Sequence, residues 1–430
     1  MLEIPQVVMS ALEAPPSFVT AHGTQLRRNG QPYVVRGANY WQAMNLGASS
    51  GTDSDRARVL HDLQTLRASG INMIRILAAS EGSQFGREPD CTYPVLMPAP
   101  GCYDEAVFEG LDWVLAQLPR LQMTATVSLG NYWSWSGGAA QYVSWATDTR
   151  IPYPRQWDQR NTEYTDGSYA GFLAYASRFY ADPSIYNATQ GWYRGHVRRV
   201  VTRRNTVTGT VYADDPSIMA WELMNEPQAT EDSERLRAWI HESARFIHAL
   251  DQKHLVTTGA ESKDGHAWHT RMHASPYITL ASCHFWALNW GYYNSSDPTN
   301  ASVDASIREM RAFVGDNARW ARGLGKPSVL FEFGLMRDNW GEWGGFAAFD
   351  PRAPVTHRDR FFAAVYEEVG RLLDEGVCGA AFWAYAGAAR PPPIGDPRAT
   401  WTGDPPHEPP GWNSIYDADA TTLDIIRRSF

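Results

Sequence analysis

Short apolar runs alternate with longer amphipathic segments along most of this 430-residue chain. The apolar runs are typical of buried strands, and the amphipathic segments have the periodicity of helices. The predicted strands are Tyr33–Asn39, Met73–Ala78, Thr124–Leu129, Ile218–Met224, His254–Thr258, Ile278–His284, Ser328–Phe333 and Gly379–Ala384. The predicted helices are Asp53–Ala68, Tyr103–Leu118, Gly171–Tyr180, Gly191–Arg203, Glu231–Leu250, Gly265–His273, Val303–Leu324, Thr356–Glu375 and Ala420–Arg428.

This alternation, in one stretch without a linker, predicts an α/β fold, a single (β/α)8 TIM barrel with long βα loops. A short N-terminal β-hairpin is expected within Thr24–Arg36, because Asn29-Gly30 is a strong two-residue turn signal. We expect residues 1–23 to form an N-terminal tail and residues 24–430 to form the catalytic barrel. A doubly wound open sheet is the alternative fold. It normally has a glycine-rich phosphate loop after its first strand, which this sequence lacks.

Composition narrows the functional classes. The net charge of −9, without any Lys/Arg run, argues against a nucleic-acid partner. No apolar run approaches the ~20 residues of a membrane span. The chain has 18 Trp and 20 Tyr, and several of them stand in Gly- and Asn-rich segments such as residues 131–138. Aromatic rings in loops suit sugar faces, so we expect the partner to be a carbohydrate substrate. The protein is expected to be a monomer.

The cysteines and the N-terminus bear on the compartment. Cys91 and Cys102 bracket a Pro-rich loop, and a disulfide between them would indicate an oxidising compartment. Cys283 and Cys378 lie in apolar runs and are expected to be buried thiols. Residues 1–19 lack a basic segment followed by an apolar one, so no signal peptide is visible. The protein is expected to be secreted or periplasmic with its signal removed, or else cytoplasmic.

One strand end carries a candidate catalytic carboxyl. The apolar run Ile218–Met224 turns polar at Asn225 and Glu226, and Pro227 then stops the strand. A carboxyl held at that place is a candidate general acid, because partial burial raises the pKa of such a group. The alternative is a glutamate that merely caps a loop.

Other predicted strands also end in polar or aromatic side chains. In a barrel all strand carboxyl ends open on one mouth, where catalytic residues are found. The candidates there are Trp41, Arg75, Asn131, Trp133, Asn225, Glu226, His284, Trp286, Glu332 and Trp383. Two carboxylates, from the fourth and seventh strands, would face each other among aromatic rings. That arrangement favours glycoside hydrolysis over other chemistry.

Several motifs extend this interpretation across nearly the whole chain. They are Arg36-Gly37-Ala38-Asn39-Tyr40-Trp41, Asn131-Tyr132-Trp133, Gln141-Tyr142-Val143-Ser144-Trp145, Thr202-Arg203-Arg204-Asn205, Asn225-Glu226-Pro227, Asn289-Trp290-Gly291, Phe331-Glu332-Phe333-Gly334 and Phe382-Trp383-Ala384-Tyr385. In this order the chain resembles the clan A retaining glycosidases of glycoside hydrolase family 5, within the subfamily rich in β-mannanases.

The resemblance implies a role for each matching position. Glu226 would be the acid/base, and Asn225 would bind the 2-hydroxyl of the reacting sugar. Glu332 would be the nucleophile, kept ionised by Arg75. His284 would lie beside the carboxylates, and further substrate contacts would come from Trp383, Trp41, Asn131, Trp133, Trp286 and Trp290. The resemblance implies no cofactor and no metal.

Two positions depart from the family pattern, and they leave the substrate contacts open. Trp286 stands where family 5 commonly has a Tyr, and Gln228 stands where mannanases commonly have an Arg. His266, His269 and His273 have helical spacing, but no carboxylate or Cys completes a metal set with them.

The leading hypothesis is an endo-β-1,4-mannanase that acts on mannan, glucomannan or manno-oligosaccharides with retention. An exo-acting β-mannosidase or mannobiohydrolase is the alternative, because the loops at residues 81–102 and 390–410 are long enough to close one end of a cleft. A β-1,4-glucanase and a non-catalytic carbohydrate-binding barrel rank lower.

Overall fold

The computed structural model describes residues 17–51, 55–82, 92–152, 168–229, 233–339, 350–391, 401–408 and 411–429. Eight parallel strands form its central sheet: consecutive strands pair in chain order except the fifth and sixth, and the first pairs with the eighth. They are β1 Val35–Asn39, β2 Met73–Leu77, β3 Thr124–Ser128, β4 Ile218–Glu222, β5 Leu255–Thr257, β6 Ala281–Phe285, β7 Ser328–Phe333 and β8 Val377–Phe382. A parallel bridge between Thr257 and Leu280 joins β5 to the start of β6. The sheet is therefore a closed barrel, and a doubly wound open sheet is excluded.

Helices surround the barrel, as the amphipathic segments predict. They are Ala43–Leu46, Arg56–Ala68, Glu105–Gln117, Gly138–Thr147, Tyr169–Ala181, Tyr186–Val201, Ser233–Leu250, Gly265–His273, Asn300–Gly323, Thr356–Arg371 and Ala420–Arg428. Two of them, Ala43–Leu46 and Gly138–Thr147, were not predicted. The predicted helix Thr356–Glu375 ends at Arg371 and continues only as the 3-10 turn Leu373–Glu375. None of the helices within the described ranges is long and apolar enough to cross a membrane.

The N-terminal hairpin closes the lower end of the barrel. Gln25–Arg28 and Gln31–Pro32 pair in antiparallel fashion around Asn29 and Gly30, whose φ angles of +53° and +74° confirm the predicted turn. A third strand, Thr20–His22, pairs with the hairpin, so ordered structure begins within the segment expected to be a tail. Side chains from the hairpin pack against the apolar lower ends of the barrel strands. The site must therefore open at the other end.

The long loop after β8 returns to the barrel. Tyr385–Gly387 pairs with Ile415–Tyr416 in a small parallel sheet directly beyond that strand. Cys283 and Cys378 are buried thiols, as expected. Cys102 is exposed and free among the described residues, whereas Cys91 lies outside them, so the predicted disulfide stays a prediction.

Candidate active site

The ends of β4 and β7 bring Glu226 and Glu332 together at the barrel mouth. β4 ends at Glu222, and the chain then turns so that the Glu226 N–H donates to the carbonyl oxygen of Gly259, at 2.9 Å. Glu226 has a φ of +49°, in the left-handed region that non-glycine residues rarely adopt. Both carboxyl groups are buried, with 7% of Glu226 and 2% of Glu332 exposed. The turn thus directs the Glu226 carboxyl toward its partner across the mouth.

The two carboxyl groups are close enough to act on one sugar. An oxygen of Glu226, an oxygen of Glu332 and a ring nitrogen of His284 all lie within 4.8 Å of one another. Retaining glycosidases hold their two carboxyl groups about 5–5.5 Å apart, and inverting enzymes need about 6.5–9.5 Å to admit a water. The observed separation belongs to the retaining class.

His284 bridges the two carboxylates. Its Nδ1 lies 2.7 Å from Oε1 of Glu226 and 3.4 Å from Oε2 of Glu332. Burial lowers the pKa of His284 to about 3, and the Arg75 charge adds to this, so the ring is neutral. Nε2 is buried and has no hydrogen-bond partner among the described residues. A hydrogen on Nδ1 leaves only a lone pair at Nε2, and it lets the ring donate to Glu226.

Arg75, on β2, connects the nucleophile candidate to a third glutamate. Nε and Nη2 donate to the two oxygens of Glu222, at 2.8 and 2.7 Å, and Nη1 donates to Oε1 of Glu332. Nη1 also donates to Oδ1 of Asn39 at 3.0 Å, and Nη2 to Oδ1 of Asn225 at 2.7 Å. Arg75 is 3% exposed. It therefore contacts the nucleophile candidate, as expected, and also pairs with a second buried acid, Glu222.

The charge of Glu332 is set by opposing effects. Burial raises the pKa of Glu332 well above its usual range, and the neighbouring Glu226 carboxylate raises it further, while Arg75 lowers it. The expectation that Arg75 alone keeps Glu332 ionised is therefore incomplete. The nearby Glu226 carboxylate thus works against the ionised form of Glu332, and Arg75 works for it.

Asn131, Trp133 and Asn225 form one hydrogen-bonded group beside Glu226. The indole Nε1 of Trp133 donates to Oε2 of Glu226 at 2.7 Å. Nδ2 of Asn225 donates to Oδ1 of Asn131 at 3.1 Å, and the backbones of these two residues form a parallel bridge. The loop after β3 thus fixes both predicted residues that follow β4.

Aromatic side chains line the mouth on two sides. Trp383 and Trp286 contact edge to face, with ring centroids 6.1 Å apart, next to the end of β7. Trp41 packs against Trp135 at 4.8 Å and against Trp401 at 5.7 Å.

Trp290 lies in a different environment. It packs against Phe285 and Phe313, in the layer between β6 and the helices. Its predicted sugar contact stays a prediction.

Sequence reasoning missed several residues of the site. Glu261, after β5, accepts hydrogen bonds from Gln228 and Lys263, each at 2.7 Å, and Gln228 also contacts the Glu226 carbonyl. Polar residues just beyond the short strand β5 were a signal that could have identified this group.

His269 and His273 are buried and hydrogen-bonded to Asn317 and Thr258, at 2.9 and 3.0 Å, as core histidines are.

Comparisons with known proteins agree with this geometry. The family model described as GH family 5 beta-mannosidase-like matches residues 16–429. Mannan endo-1,4-beta-mannosidase 8 of Oryza sativa subsp. japonica is 31% identical over 382 residues, which cover 84% of this chain and 88% of that protein. The solved family 5 mannosidase of Rhizomucor miehei is 38% identical with a TM-score of 0.86, and the match covers 96% of each chain.

A mutant of the Rhizomucor miehei mannosidase has been solved in complex with mannosyl-fructose. It is 36% identical to this chain with a TM-score of 0.84, and the match covers 96% of this chain and 99% of that one. The family model and the relatives match nearly the whole chain, including both strand ends that carry the carboxyl groups. The protein belongs to glycoside hydrolase family 5.

Proposed function

We propose that this protein is a retaining hydrolase of β-1,4-mannosidic bonds in mannan, glucomannan or manno-oligosaccharides. The observation that carries the proposal is the pair of buried carboxyl groups with oxygens within 4.8 Å, of which only Glu332 is bonded to Arg75 among the described contacts. That asymmetry favours negative charge on Glu332, which a nucleophile needs. Glu332 is accordingly the nucleophile and Glu226 the acid/base.

The reaction proceeds by two displacements. In the first, a Glu332 oxygen bonds to the anomeric carbon while the bond to the leaving oxygen breaks, and Glu226 gives its proton to that oxygen. In the second, a water oxygen bonds to the anomeric carbon while the ester bond to Glu332 breaks, and Glu226 takes a proton from that water. Both carboxyl groups then return to their starting state.

The neighbours of Glu226 suit it to hold and release a proton. Trp133 donates to Oε2 at 2.7 Å, and the His284 ring lies at 2.7 Å from Oε1. These contacts fix the carboxyl group and stabilise its charge after the proton has left. In both contacts Glu226 accepts the hydrogen bond, so its own proton stays free to be donated to a leaving oxygen above the barrel.

The mannoside substrate is supported by the family and by the relatives' names. Mannose differs from glucose in its axial 2-hydroxyl, so discrimination has to occur beside the anomeric carbon. Asn225 is held there by Arg75 and Asn131, at 2.7 and 3.1 Å. A fixed polar group that binds a hydroxyl in a buried site discriminates strongly against the epimer that leaves it unpaired.

A specific observation supports exo action as a second candidate beside the endo action expected from the sequence. The loops after β1, β2, β3 and β8 meet on one side of the mouth. Trp41 donates to the Gly403 carbonyl at 2.7 Å, Trp135 stacks on His407 at 6.5 Å, and Thr92 N–H donates to the Trp135 carbonyl at 2.6 Å. These loops form a wall at one side of the carboxyl pair. A site closed on one side favours binding of a chain end, whereas endo action needs a cleft that is open at both ends.

A carboxyl group in the wall, that of Glu408, interacts electrostatically with Glu226. Burial raises the pKa of Glu408 well above its usual range, and the charges of Asp404 and Glu226 add to this. The Rhizomucor miehei relative, which is called a mannosidase, is similar to this chain over 96% of its length. Exo-acting β-mannosidase is therefore our second candidate within the same chemistry.

Product analysis on mannohexaose, with cellohexaose in parallel, tests both levels of the proposal. Hydrolysis of mannohexaose and not of cellohexaose supports the mannosidic substrate. Mannose or mannobiose as the sole early product indicates exo action, whereas a spread of lengths indicates endo action. Faster cleavage of cellohexaose would overturn the substrate assignment.

A further inference from the structure

Glu81 is a buried carboxylate that lies outside the catalytic pair. It follows β2 and is 3% exposed. Its Oε2 accepts a 3.0 Å hydrogen bond from the backbone N–H of Gly138, the first residue of the helix Gly138–Thr147. Its own backbone N–H donates to the Ser136 carbonyl at 2.8 Å. A single residue after β2 therefore holds two successive parts of the loop that follows β3.

That loop carries the groups that contact Glu226 and Asn225. Trp133 donates to Glu226, and Asn131 accepts from Asn225. Within the loop, Asn131 donates through Nδ2 to the Ser136 hydroxyl at 3.0 Å, and its carbonyl accepts from the Ala139 N–H at 2.8 Å. The loop is thus a closed unit whose far end is held by Glu81.

Gly137 packs so closely against Glu81 that there is no room for a side chain at position 137. Gly137 has a φ of +87°, and a Cβ built on it would lie 2.4 Å from the Glu81 carbonyl oxygen and 2.7 Å from the Glu81 Cβ. A side chain at position 137 would push the two segments apart. The close approach, together with the two hydrogen bonds, fixes the loop relative to β2.

An acceptor oxygen also suits this position. The first N–H groups of a helix have no partner within the helix. Gly137, which precedes the helix, has no side chain that could cap it. Glu81 supplies the missing acceptor from a segment 57 positions earlier in the chain.

We propose that Glu81 is a positioning residue for the acid/base step: it anchors the loop that keeps the Trp133 indole on Glu226. The inference rests on the proposed role of Glu226. Loss of the anchor should allow the indole to move away from Oε2, which weakens proton transfer to the leaving group. Attack by Glu332 depends on Arg75 and is left intact.

Leaving groups of different acidity separate this role from a structural one. A 2,4-dinitrophenyl β-mannoside needs little protonation, whereas phenyl β-mannoside depends on the general acid. General acid catalysis contributes about 10²–10⁴-fold. Glu81→Ala should therefore lower kcat/KM, which reports the first displacement, by about tenfold for the phenyl substrate and by less than about twofold for the dinitrophenyl substrate. Glu81→Gln keeps an acceptor oxygen for Gly138 and should recover most of the loss.

Asp104→Ala is the matched control. Asp104 caps the neighbouring helix Glu105–Gln117 by accepting from the Ala106 N–H at 2.9 Å, and it is exposed. Its loss costs about 1 kcal/mol of stability, as caps do, and should leave the ratio of the two kcat/KM values unchanged. A changed ratio in Glu81→Ala alone supports the inference.

Two results would overturn the inference. One is an unchanged ratio of the two kcat/KM values in Glu81→Ala, and the other is a Glu81→Gln enzyme that is folded but no better than Glu81→Ala. If Glu81→Ala does not fold, Gly137→Ala, which pushes the same two segments apart, decides by the same ratio. Glu226→Ala is run alongside. If its loss does not depend on the leaving group, the proposed function fails and not merely the role of Glu81.

Discussion

Both carboxylate oxygens of Glu222 accept hydrogen bonds from Arg75, at 2.8 and 2.7 Å, inside the barrel. Alternation along β4 predicts this inward orientation, since Leu223 follows on the opposite face. The same guanidinium donates to Glu332, the proposed nucleophile. Arg75 therefore balances two buried negative charges, and its removal should affect the fold and the chemistry together.

The first prediction concerns this shared cation. Arg75→Met should abolish activity and lower the free energy of unfolding by about 3–5 kcal/mol, because it leaves buried carboxylates without a partner. Urea unfolding and kcat on an aryl β-mannoside measure the two effects. Glu222→Gln is the control, since it removes one charge and leaves Arg75 on Glu332, and it should retain more activity. A Arg75→Met protein as stable as the wild type would contradict the prediction.

The barrel was predictable because its strands are continuous apolar runs with polar ends. β7 and the last helix have the bounds that the sequence predicts, Ser328–Phe333 and Ala420–Arg428. The helix Gly138–Thr147 was missed, because two glycines precede or begin it and its cap comes from Glu81. Such a partner is distant in sequence, and local periodicity contains no trace of it.

The site likewise has a part that the sequence predicts and a part that depends on how distant segments fold together. Strand-end position indicated Glu226, Glu332 and His284, because all strands open on one mouth, and Arg75 was indicated as a charge within an apolar strand. The hydrogen bond from Trp133 to Glu226 depends on how a loop folds back, and sequence does not specify that. Neither could sequence show that burial would raise the pKa of Glu332 against the effect of Arg75.

The second prediction concerns a glycine in the small sheet beyond β8. Gly387 has a φ of +57°, and a Cβ there would lie 1.9 Å from Oδ1 of Asp62, which is buried and bonded to the Tyr40 hydroxyl at 2.8 Å. Gly387→Ala should lower the free energy of unfolding by about 2–4 kcal/mol. About 1 kcal/mol comes from placing a non-glycine residue in the left-handed region, and about 1–3 kcal/mol comes from the clash with Asp62.

Gly209→Ala separates the two causes of that loss. Gly209 has a φ of +73°, but nothing lies within 4 Å of a Cβ there. It should therefore cost only the conformational part, about 1 kcal/mol. Equal losses of stability in the two variants, measured by urea unfolding, would show that contact with Asp62 is unimportant.

The third prediction concerns pH and His196. Burial lowers the pKa of His196 to about 4, and its Nε2 lies 2.9 Å from the Ala78 carbonyl oxygen. Between pH 6.5 and 4 the unfolded state binds a proton at this residue and the folded state does not. Stability attributable to it is therefore lost as the pH falls, by about 1.4 kcal/mol per pH unit at most.

Comparison of variants isolates this effect. Burial raises the pKa of Glu81 to about 7, which acts in the opposite direction, so the pH dependence of the wild type alone does not identify His196. The wild type should lose stability relative to His196→Gln as the pH falls from 6.5 to 4.5, measured by urea unfolding at several pH values. A constant difference between the two proteins would refute the assignment.

The last prediction assigns the two carboxylates through stereochemistry. With Glu226→Ala, an aryl β-mannoside with a good leaving group should still form the glycosyl ester on Glu332, because departure needs little protonation. Azide then attacks from the face opposite the ester, which speeds turnover and gives β-mannosyl azide. With Glu332→Ala, azide occupies the place of the missing carboxylate and gives the α-anomer. Proton NMR of the products distinguishes the two anomers.

The wild-type enzyme supplies the reference for these variants. Carboxyl oxygens within 4.8 Å leave no room for an inverting water between base and sugar, so its first product should be the β-anomer. Reversed azide anomers in the two variants would exchange the roles of Glu226 and Glu332, and the contact of Arg75 would then belong to the acid/base. An α-configured first product from the wild type would exclude double displacement itself, because a single inversion is the only route from a β-mannoside to that anomer.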